Sequence, residues 1–460
     1  MRGFLASSIG VTCAAALALP LTLPSSGARA ATPAAVSPAG PSVESVPGST
    51  QSLALTPLGS DRSSGGGASR EQGLLQREVR PFSLVGVIWD DPDDELHGSV
   101  QVRTRASGTG SWSGWQPVET HNHDHAADPD DPERATGRVR GSTAPLWVGD
   151  SDGVEIRVRG EAAQHRGAER SPRDLAGQAL PAGLRLELVD PGAEPPPQGS
   201  VPEGPRAPAL TAETAAASAV NADLAPLGAA VIPELSKKET EADLLAARGG
   251  PETAGKARPY VGPRPRIITR KGWGADEKLR EKDFAYTKSV KAAFVHHSAS
   301  GNNYRCSQAG SVLRSIYRYH VKSSGWRDFG YNFAVDKCGS IYEGRAGGVA
   351  KPVLGAHTLG FNTNSMGIAV LGSFGYSSPP AAAVNAVARL SAWKLGLYGA
   401  NPRGKTYLKS GGGNLYKKGS KVRLHVISGH RDGFATECPG SRLYQKLGKA
   451  RSTSARYQGR

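Results

Sequence analysis

The sequence contains few cysteines and little that is able to cross a membrane. Only four cysteines occur in 460 residues, and after the N-terminal region no segment approaches the length of a membrane span. The N-terminal region begins with Arg2, continues with an apolar stretch interrupted by Pro20 and Pro24, and ends in small residues before Ala31. This layout is typical of a secretory signal peptide over residues 1–30, with a retained N-terminal anchor as the alternative. We therefore expect a secreted, soluble protein without a membrane span.

The remaining cysteines are odd in number. Removal of the signal peptide leaves Cys306, Cys338 and Cys438. In an exported protein, an odd number usually indicates one disulfide bond and one thiolate with another role. Cys306 and Cys338 flank one compact stretch, so we expect these two to form the bond. Cys438 then remains for another function.

Composition divides the chain into segments. Residues 31–70 are rich in Ala, Pro, Ser and Gly, which predicts a disordered leader, and residues 191–262 return to a Pro- and Ala-rich composition that predicts a linker. Between them, residues 71–190 contain short alternating runs such as "SVQVRTRA", which predict an antiparallel β-sandwich. Residues 263–450 alternate strand-like and helix-like runs and predict an α/β domain with a mixed sheet flanked by helices. Residues 451–460 are expected to form a basic tail.

One loop within the predicted β region is rich in histidine and acids. It reads "HNHDHAADPDDPE" and contains His121, His123 and His125. These three side chains are potential metal ligands, but they alternate along the chain among acids and prolines. We therefore predict a solvated loop.

Positive charge is concentrated in the C-terminal part of the chain. Residues 263–460 contain 33 Lys and Arg against 9 Asp and Glu, a balance of +24, whereas the preceding residues carry 23 against 32, a balance of −9. A strongly basic exported domain favours anionic surfaces. Nucleic acid is one such surface, but export argues against it, and the anionic polymers of a bacterial cell wall fit better. A basic domain without a specific partner is the alternative.

Two histidines and a cysteine form a candidate metal site. His296 ends the strand-like run "AAFV", His430 follows the run "LHVIS", and Cys438 comes eight residues later. Site residues collect at strand ends in α/β sheets, and two imidazoles with one thiolate suit zinc while leaving a fourth position open. The alternative is a buried Cys438 beside a His430 that only caps a strand.

Four motifs in order carry a family resemblance. "FVHHSAS", "GWRDFGYNFAVDKCGSIYEGR", "GAHTLGFNTNSMGIAVLGSF" and "SGHRDGFATECPG" closely resemble the peptidoglycan recognition protein and type 2 amidase family, which includes the phage lysozyme-type zinc amidases. The match covers residues 263–450. The resemblance implies the family's activity, hydrolysis of the amide between N-acetylmuramic acid and the L-alanine of the stem peptide, with Zn²⁺ as the cofactor and peptidoglycan as the substrate.

The resemblance also assigns roles to residues around the metal. The first histidine of "HHS" matches a zinc ligand, which selects His296 over His297, and His430 and Cys438 match the other two ligands. Members that only bind peptidoglycan lack this cysteine, so its presence favours an enzyme. Tyr331 in "GYNF" matches a tyrosine beside the metal, where it would position water or stabilise the oxyanion. Its alternative role is that of a core aromatic.

Further positions are assigned less directly. Thr436 occupies the place where phage enzymes carry a lysine, and we include it as a catalytic candidate. Glu343 and Glu437 are available as general bases, but the motifs assign that role to neither. Four polar residues match positions that line the substrate groove: His320, Arg345, His357 and Asn362. Arg345 is expected to pair with a carboxylate of the stem peptide, or alternatively with Asp336 or Glu343, and Asn362 alternatively caps a turn.

Three functions follow from these observations. The first is a zinc-dependent N-acetylmuramoyl-L-alanine amidase, extracellular or associated with the cell wall. The second is a peptidoglycan-binding protein without catalysis, and the third is a zinc peptidase that acts on the stem peptide. In each case we expect a monomer that binds no nucleic acid.

Overall fold

The computed structural model describes residues 47–58, 71–161, 179–194, 210–247 and 259–460. The predicted signal peptide, residues 1–30, lies outside the described residues. Part of the predicted leader is described, however, and it forms strands. None of the helices in these described ranges combines the length and hydrophobicity that crossing a bilayer requires.

The N-terminal part of the described chain forms an antiparallel β-sheet of eight strands, which we call the β domain. Its strands are β1 (Ser49–Ala54), β2 (Thr56–Pro57), β3 (Glu71–Trp89), β4 (Gly98–Ala106), β5 (Gln116–Val118), β6 (Gly141–Ser142), β7 (Leu146–Gly160) and β8 (Arg185–Asp190). The order is β1-β8-β3-β7-β4-β5, with β2 and β6 on β3. Alternation of apolar residues produces this sheet because every second side chain faces the core, as Val100 and Val102 of β4 do.

The predicted all-β character is confirmed, but two segment predictions need correction. Strand β1 lies within the predicted leader and pairs with β8 along its whole length. The predicted linker, residues 191–262, contains helices α1 (Ala212–Ala219) and α2 (Lys237–Ala247) and strand β9 (Val231–Ile232). Strand β9 pairs with the next strand of the chain, so tertiary contacts override the linker-like composition.

The C-terminal domain is built on a mixed sheet of seven strands, as the sequence predicted. Its strands after β9 are β10 (Ile267–Ile268), β11 (Ala292–His297), β12 (Phe333–Val335), β13 (Ile341–Glu343), β14 (Ser365–Val370) and β17 (Ile427–Gly429), in the order β17-β11-β14-β12-β13-β10-β9. The central strands β17, β11, β14 and β12 are parallel, and β12 and β13 form an antiparallel hairpin. The stretch "KVRLHVISGH" contains two strands. Its first part is β16 (Lys421–His425), which pairs with β15 (Lys405–Lys409) in a separate hairpin, and its last part contains β17.

Helices cover both faces of this sheet. They are α3 (Arg270–Trp273), α4 (Ala309–Arg318) with a π-helical turn (Tyr319–Ser323), α5 (Ala381–Leu397), α6 (Ser441–Tyr444) and α7 (Leu447–Gln458). Helix α5 begins after Pro380, a residue that favours the first turn, and is followed by Gly399 with φ of 72°. The predicted basic tail is instead the end of α7, where buried Gln458 donates a hydrogen bond to the Ala392 carbonyl.

The two domains share a hydrophobic core. Leu84, Ile88, Trp147 and Val189 of the β domain pack in one cluster with side chains of α4 and the π-helical turn. The hydroxyl of Tyr319, which is fully buried, lies 3.2 Å from the Val87 carbonyl oxygen and 3.1 Å from that of Thr143. The domains are therefore joined by buried apolar and polar contacts.

The disulfide bond between Cys306 and Cys338 is formed. It connects the turn of the β12–β13 hairpin to the 3₁₀ turn that precedes α4, with 6.2 Å between the two Cα atoms. Cys438 is free and buried.

Candidate metal centre

Two parallel strands position the histidines of the candidate metal centre. His296 lies near the end of β11, whose six residues are all buried. His430 directly follows β17, which pairs with β11 so that Val295 lies opposite Gly429. Because the carboxyl ends of parallel strands meet at one edge of the sheet, the two imidazoles converge there.

The loop after His430 returns Cys438 to the same place. The His296 Nδ1 atom lies 3.1 Å from His430 Nδ1 and 3.7 Å from Cys438 Sγ. All three side chains are buried. His297 is not one of these clustered donors, and its Nδ1 accepts a hydrogen bond from the Phe374 amide, 3.3 Å away.

A fourth donor comes from the β domain. His125 Nε2 lies 3.2 Å from His430 Nδ1, and the donor atoms of His125, His296, His430 and Cys438 all lie within 4.8 Å of one another. The prediction of a solvated loop is therefore wrong for its first half, since Asn122, Asp124 and His125 are buried. The cause is long-range packing against the C-terminal domain.

Neighbouring acceptors orient the imidazoles. Asp124 Oδ1 lies 2.9 Å from His125 Nδ1, so that nitrogen donates its proton and Nε2 keeps its lone pair directed at the other donors. His296 Nε2 lies 3.4 Å from the Thr358 hydroxyl, while its Nδ1 faces His430 and Cys438. Metal-binding histidines commonly have such partners for their second nitrogen.

Three separations within this group are close to those around a zinc ion. Tetrahedral zinc with Zn–N bonds of about 2.05 Å and a Zn–S bond of about 2.3 Å places its nitrogens about 3.3 Å apart and nitrogen and sulfur about 3.6 Å apart. Three of the six observed separations are close to these values, two between nitrogens at 3.1 and 3.2 Å and one between nitrogen and sulfur at 3.7 Å, and the other pairs lie within 4.8 Å. The donor set of imidazoles with one thiol also matches the preference of zinc.

Burial sets the protonation of the site. It lowers the pKa of His430 to about 3 and holds the pKa of His296 well below its ordinary value, with further lowering from neighbouring imidazoles. Both imidazoles are therefore neutral at physiological pH, as metal ligands must be. Burial, with Asp124 nearby, raises the pKa of the Cys438 thiol well above its usual range, so a bound metal ion has to displace the thiol proton.

Asp124 itself stays ionised beside the cluster. Burial alone raises the pKa of this carboxyl group, but His125 and His430 outweigh burial and hold the pKa below its usual range. Its Oδ2 atom lies 3.7 Å from His430 Nδ1. The carboxylate therefore places a negative charge next to the position of the cation.

The two catalytic candidates lie beside the cluster. The ring of Tyr331 is 5.2 Å from that of His296, measured between centroids, and burial raises the pKa of its phenol well above the ordinary value. The phenol is therefore a hydrogen-bond donor at neutral pH. The Thr436 hydroxyl accepts a hydrogen bond from the Cys438 amide at 3.2 Å and also interacts with Asp124.

Two of the predicted groove residues are engaged by the β domain. Arg345 forms a two-pronged pair with Glu133 at 2.9 and 3.0 Å, rather than with either alternative partner, Asp336 or Glu343. Asn362 Nδ2 donates to Asp128 Oδ1 at 2.7 Å, while its Oδ1 accepts from the backbone amides of the loop before it. The latter contacts match its alternative role in stabilising a turn.

The other two groove candidates are buried near the cluster. His320 stacks on Trp326 with 4.3 Å between ring centroids, and its Nδ1 accepts from the Gly330 amide at 3.2 Å. The ring of His357 lies 5.3 Å from that of His296, and its Nδ1 is 3.0 Å from the Thr358 hydroxyl. Both therefore pack around the residues that form the site.

The two glutamates considered as general bases differ in location. Glu343 accepts hydrogen bonds from Asn221 and the Arg270 amide, and burial raises its pKa to about 7. Its hydrogen-bonding partners lie outside the metal cluster. Glu437 lies on the loop with Cys438, and its exposed carboxylate is 3.2 Å from Arg431.

The sequence assigned no role to Asp124, Asp128 or Glu133, and it did not predict that His125 is buried. The contact between His125 and His430 spans 305 residues, and the pair of Glu133 with Arg345 spans 212. The only local signal was three histidines in one acidic loop, and this signal does not distinguish a solvated loop from one that inserts into another domain.

Two separate parts of the chain match known protein families. Residues 286–441 match the family described as N-acetylmuramoyl-L-alanine amidase, and residues 35–177 match the family described as Rv3811 N-terminal galactose-binding domain-like. Peptidoglycan-recognition protein SC1a of Drosophila melanogaster is 32% identical over 155 residues, which cover 34% of this chain and 70% of that protein. N-acetylmuramoyl-L-alanine amidase of Homo sapiens is 29% identical over 188 residues, which cover 40% of this chain and 28% of that protein.

Among solved structures, Drosophila PGRP-LB wild-type aligns with a TM-score of 0.32 and 27% identity, covering 40% of this chain and 92% of that chain. From the sequence matches, the chain belongs to the peptidoglycan recognition protein and type 2 amidase family. This confirms the resemblance carried by the four motifs.

Proposed function

We propose that the protein is a secreted zinc-dependent N-acetylmuramoyl-L-alanine amidase, which hydrolyses the amide between N-acetylmuramic acid and L-alanine in bacterial peptidoglycan. The observation that carries the proposal is the convergence of His296, His430 and Cys438, with separations of 3.1 and 3.7 Å from His296 Nδ1. Family membership supports the substrate, since the relatives are named for peptidoglycan recognition and for this amidase activity.

The chain's own residues supply the remaining chemistry. Zinc, when bound, supplies a Lewis acid that polarises a carbonyl group and activates water. Tyr331 stays protonated because it is buried, so its hydroxyl is able to donate a hydrogen bond to an oxyanion that develops beside His296. Thr436 holds the amide of Cys438 and thereby helps to fix the position of the sulfur.

Charge supports action at a cell wall. The net charge of +24 over residues 263–460 favours accumulation on anionic wall polymers, an attraction that weakens as salt rises. The signal-peptide pattern of residues 1–30 supports export. Arg345 is the candidate for pairing with a stem-peptide carboxylate once Glu133 is displaced.

One observation favours the second candidate function, peptidoglycan binding without hydrolysis. With His125, four protein donors would hold the metal, as in structural zinc sites, whereas catalytic sites keep a position open. The activity test must therefore include a chain in which this fourth donor has been removed.

The test is mass spectrometry of peptidoglycan fragments incubated with the full-length protein, either wild type or His125→Ala, with zinc or with a chelator. We expect zinc-dependent release of intact stem peptide with a free L-alanine amino group, together with the free glycan. Cys438→Ser in the His125→Ala background should abolish this release, and His97→Ala, which changes an exposed histidine of the β domain, should not alter it.

Other products would reject the proposal. Cleavage between amino acids of the stem peptide would indicate a zinc peptidase. Tight binding of the fragments without cleavage by either the wild type or His125→Ala would indicate a recognition protein.

A further inference from the structure

The β domain sends one segment into the C-terminal domain. This segment, residues 122–133, follows β5 and is called the closing segment below. Five of its residues, Asn122, Asp124, His125, Ala126 and Ala127, are buried near its start, and Glu133 is buried at its end. Burial of a stretch so rich in acids requires that its polar groups find partners in the other domain.

At the candidate metal centre, the closing segment contributes a potential ligand, His125, whose ring is already oriented. His125 Nε2 lies 3.2 Å from His430 Nδ1, and Asp124 fixes the other ring nitrogen through a contact of 2.9 Å. An imidazole in this position takes the coordination site that water or the scissile carbonyl would need. A metal ion bound by all four donors would have no position left for substrate.

In the groove, the closing segment takes the polar contacts expected of a substrate. Asp128 Oδ1 accepts from the side chain of Asn362 and from the Gly360 amide, at 2.7 and 2.8 Å. Glu133 uses both carboxylate oxygens on Arg345, and both side chains are at most 4% exposed. An acidic peptide carboxylate would have to compete with these two acids for the same donors.

Further polar contacts connect the closing segment to the C-terminal domain. The Leu359 amide donates to the Asp124 carbonyl oxygen at 2.9 Å, and the Arg327 amide donates to Glu133 Oε1 at 3.0 Å. Lys418 pairs with Asp130 at 2.7 Å. Since the domains also share a hydrophobic core, the closing segment is held at both ends by packed structure.

We infer that this arrangement is a latent form of the enzyme, in which the β domain closes the active site with His125 as the fourth metal ligand and with Asp128 and Glu133 as occupants of the substrate groove. The closing segment has to withdraw before a muramyl-peptide can bind. The inference rests on the proposed function only for the identity of the substrate that is excluded, because closure of the metal centre is measurable without any reaction.

The first experiment measures access to the metal. Zinc is replaced by Co²⁺ in the full-length wild type, in His125→Ala and in the control His97→Ala, and azide is titrated while the visible absorption of cobalt is recorded. Azide should leave the spectra of the wild type and the control unchanged and should shift that of His125→Ala. Zinc affinity, measured against a competing chelator, should fall at least about tenfold in His125→Ala, since even loss of an orienting neighbour costs about that much. Equal azide binding by wild type and His125→Ala would overturn the inference.

The second experiment measures access to the groove and does not depend on removal of a ligand. Asp128→Ala keeps all four metal donors, so its cobalt spectrum should match the wild type. A fluorescent muramyl-peptide should nevertheless bind at least about tenfold more tightly to Asp128→Ala than to the wild type. Equal binding to both proteins would contradict the occupancy of the groove.

Activity separates this inference from the proposed function. Faster amide hydrolysis by His125→Ala than by the wild type supports both. Hydrolysis by the wild type at the rate of His125→Ala overturns latency and leaves the amidase function standing. If azide binds to His125→Ala and the muramyl-peptide binds more tightly to Asp128→Ala, but no variant hydrolyses the amide, the amidase function is overturned and the closure of the site by the β domain is supported.

Discussion

The buried pair of Glu133 and Arg345 predicts a strong coupling between the two domains. The guanidinium group makes two contacts of 2.9 and 3.0 Å with the carboxylate, and the side chains are 3% and 4% exposed. Glu133→Ala leaves the charge of Arg345 buried, with the Phe329 carbonyl at 2.8 Å as its nearest remaining acceptor. Loss of one member of such a pair costs about 3–5 kcal/mol of the free energy of unfolding.

A double-mutant cycle tests this expectation. Glu133→Leu combined with Arg345→Met removes both charges and keeps apolar volume, and such replacements are often close to neutral. The double variant should therefore be more stable than either single variant, Glu133→Leu or Arg345→Met, and the coupling free energy should reach several kcal/mol. Urea unfolding followed by tryptophan fluorescence measures all four proteins.

The exposed pair of Lys418 and Asp130 provides the matched control, because it joins the same closing segment to the same domain with side chains 63% and 68% exposed. Its coupling should not exceed about 1 kcal/mol. A coupling below about 0.5 kcal/mol between Glu133 and Arg345, the range expected of independent sites, would refute the account of the domain junction.

Three further predictions concern single sites. In the His125→Ala background, Tyr331→Phe should lower kcat about 10²–10³-fold at unchanged zinc content, since one hydrogen-bond donor to the oxyanion is lost. A rate within about threefold of that of His125→Ala would exclude Tyr331 as this donor. Burial raises the pKa of Glu343 from 4.5 to about 7, so Glu343 loses its proton at lower pH in the unfolded protein than in the folded protein. The free energy of unfolding should therefore fall by up to about 3 kcal/mol as the pH rises between these two values. Glu343→Gln should flatten that part of the curve in urea titrations at stepped pH, and an unchanged slope would rule out Glu343 as its source. Cys306 and Cys338 lie 32 residues apart, and replacing both with Ala should lower the free energy of unfolding by about 3–4 kcal/mol in the chain-entropy model. Peptide mapping of the wild type that linked either cysteine to Cys438 would contradict the bond.

The local sequence pattern was sufficient to predict those site residues that lie at the ends of clearly apolar strands. His296 and His430 follow apolar runs that form adjacent parallel strands, so their convergence follows from a rule of sheet geometry. The predicted ligand set stays a proposal, but its three members do lie together. The mixed sheet flanked by helices also follows from hydrophobic periodicity.

The remaining features depend on contacts that composition does not encode. Polar residues such as His125 and Glu133 favour solvent unless distant partners satisfy them, and their partners lie more than 200 residues away in the chain. Likewise, the Pro- and Ala-rich stretch before the C-terminal domain resembles a linker, yet β9 gains hydrogen bonds by pairing with β10. Tertiary packing decides both cases.

The shared core has a consequence for modularity. The Tyr319 ring enters the β domain where Gly86 leaves room for it, since a Cβ atom on Gly86 would lie 2.4 Å from the ring. A C-terminal domain cut free of its partner would expose apolar side chains of α4 and would leave the Tyr319 hydroxyl without its two carbonyl acceptors. Exchange of the β domain for another module therefore requires a replacement that provides both the glycine gap and the acceptors. We therefore expect the β domain and the C-terminal domain to be exchanged only together, although each matches a family of its own.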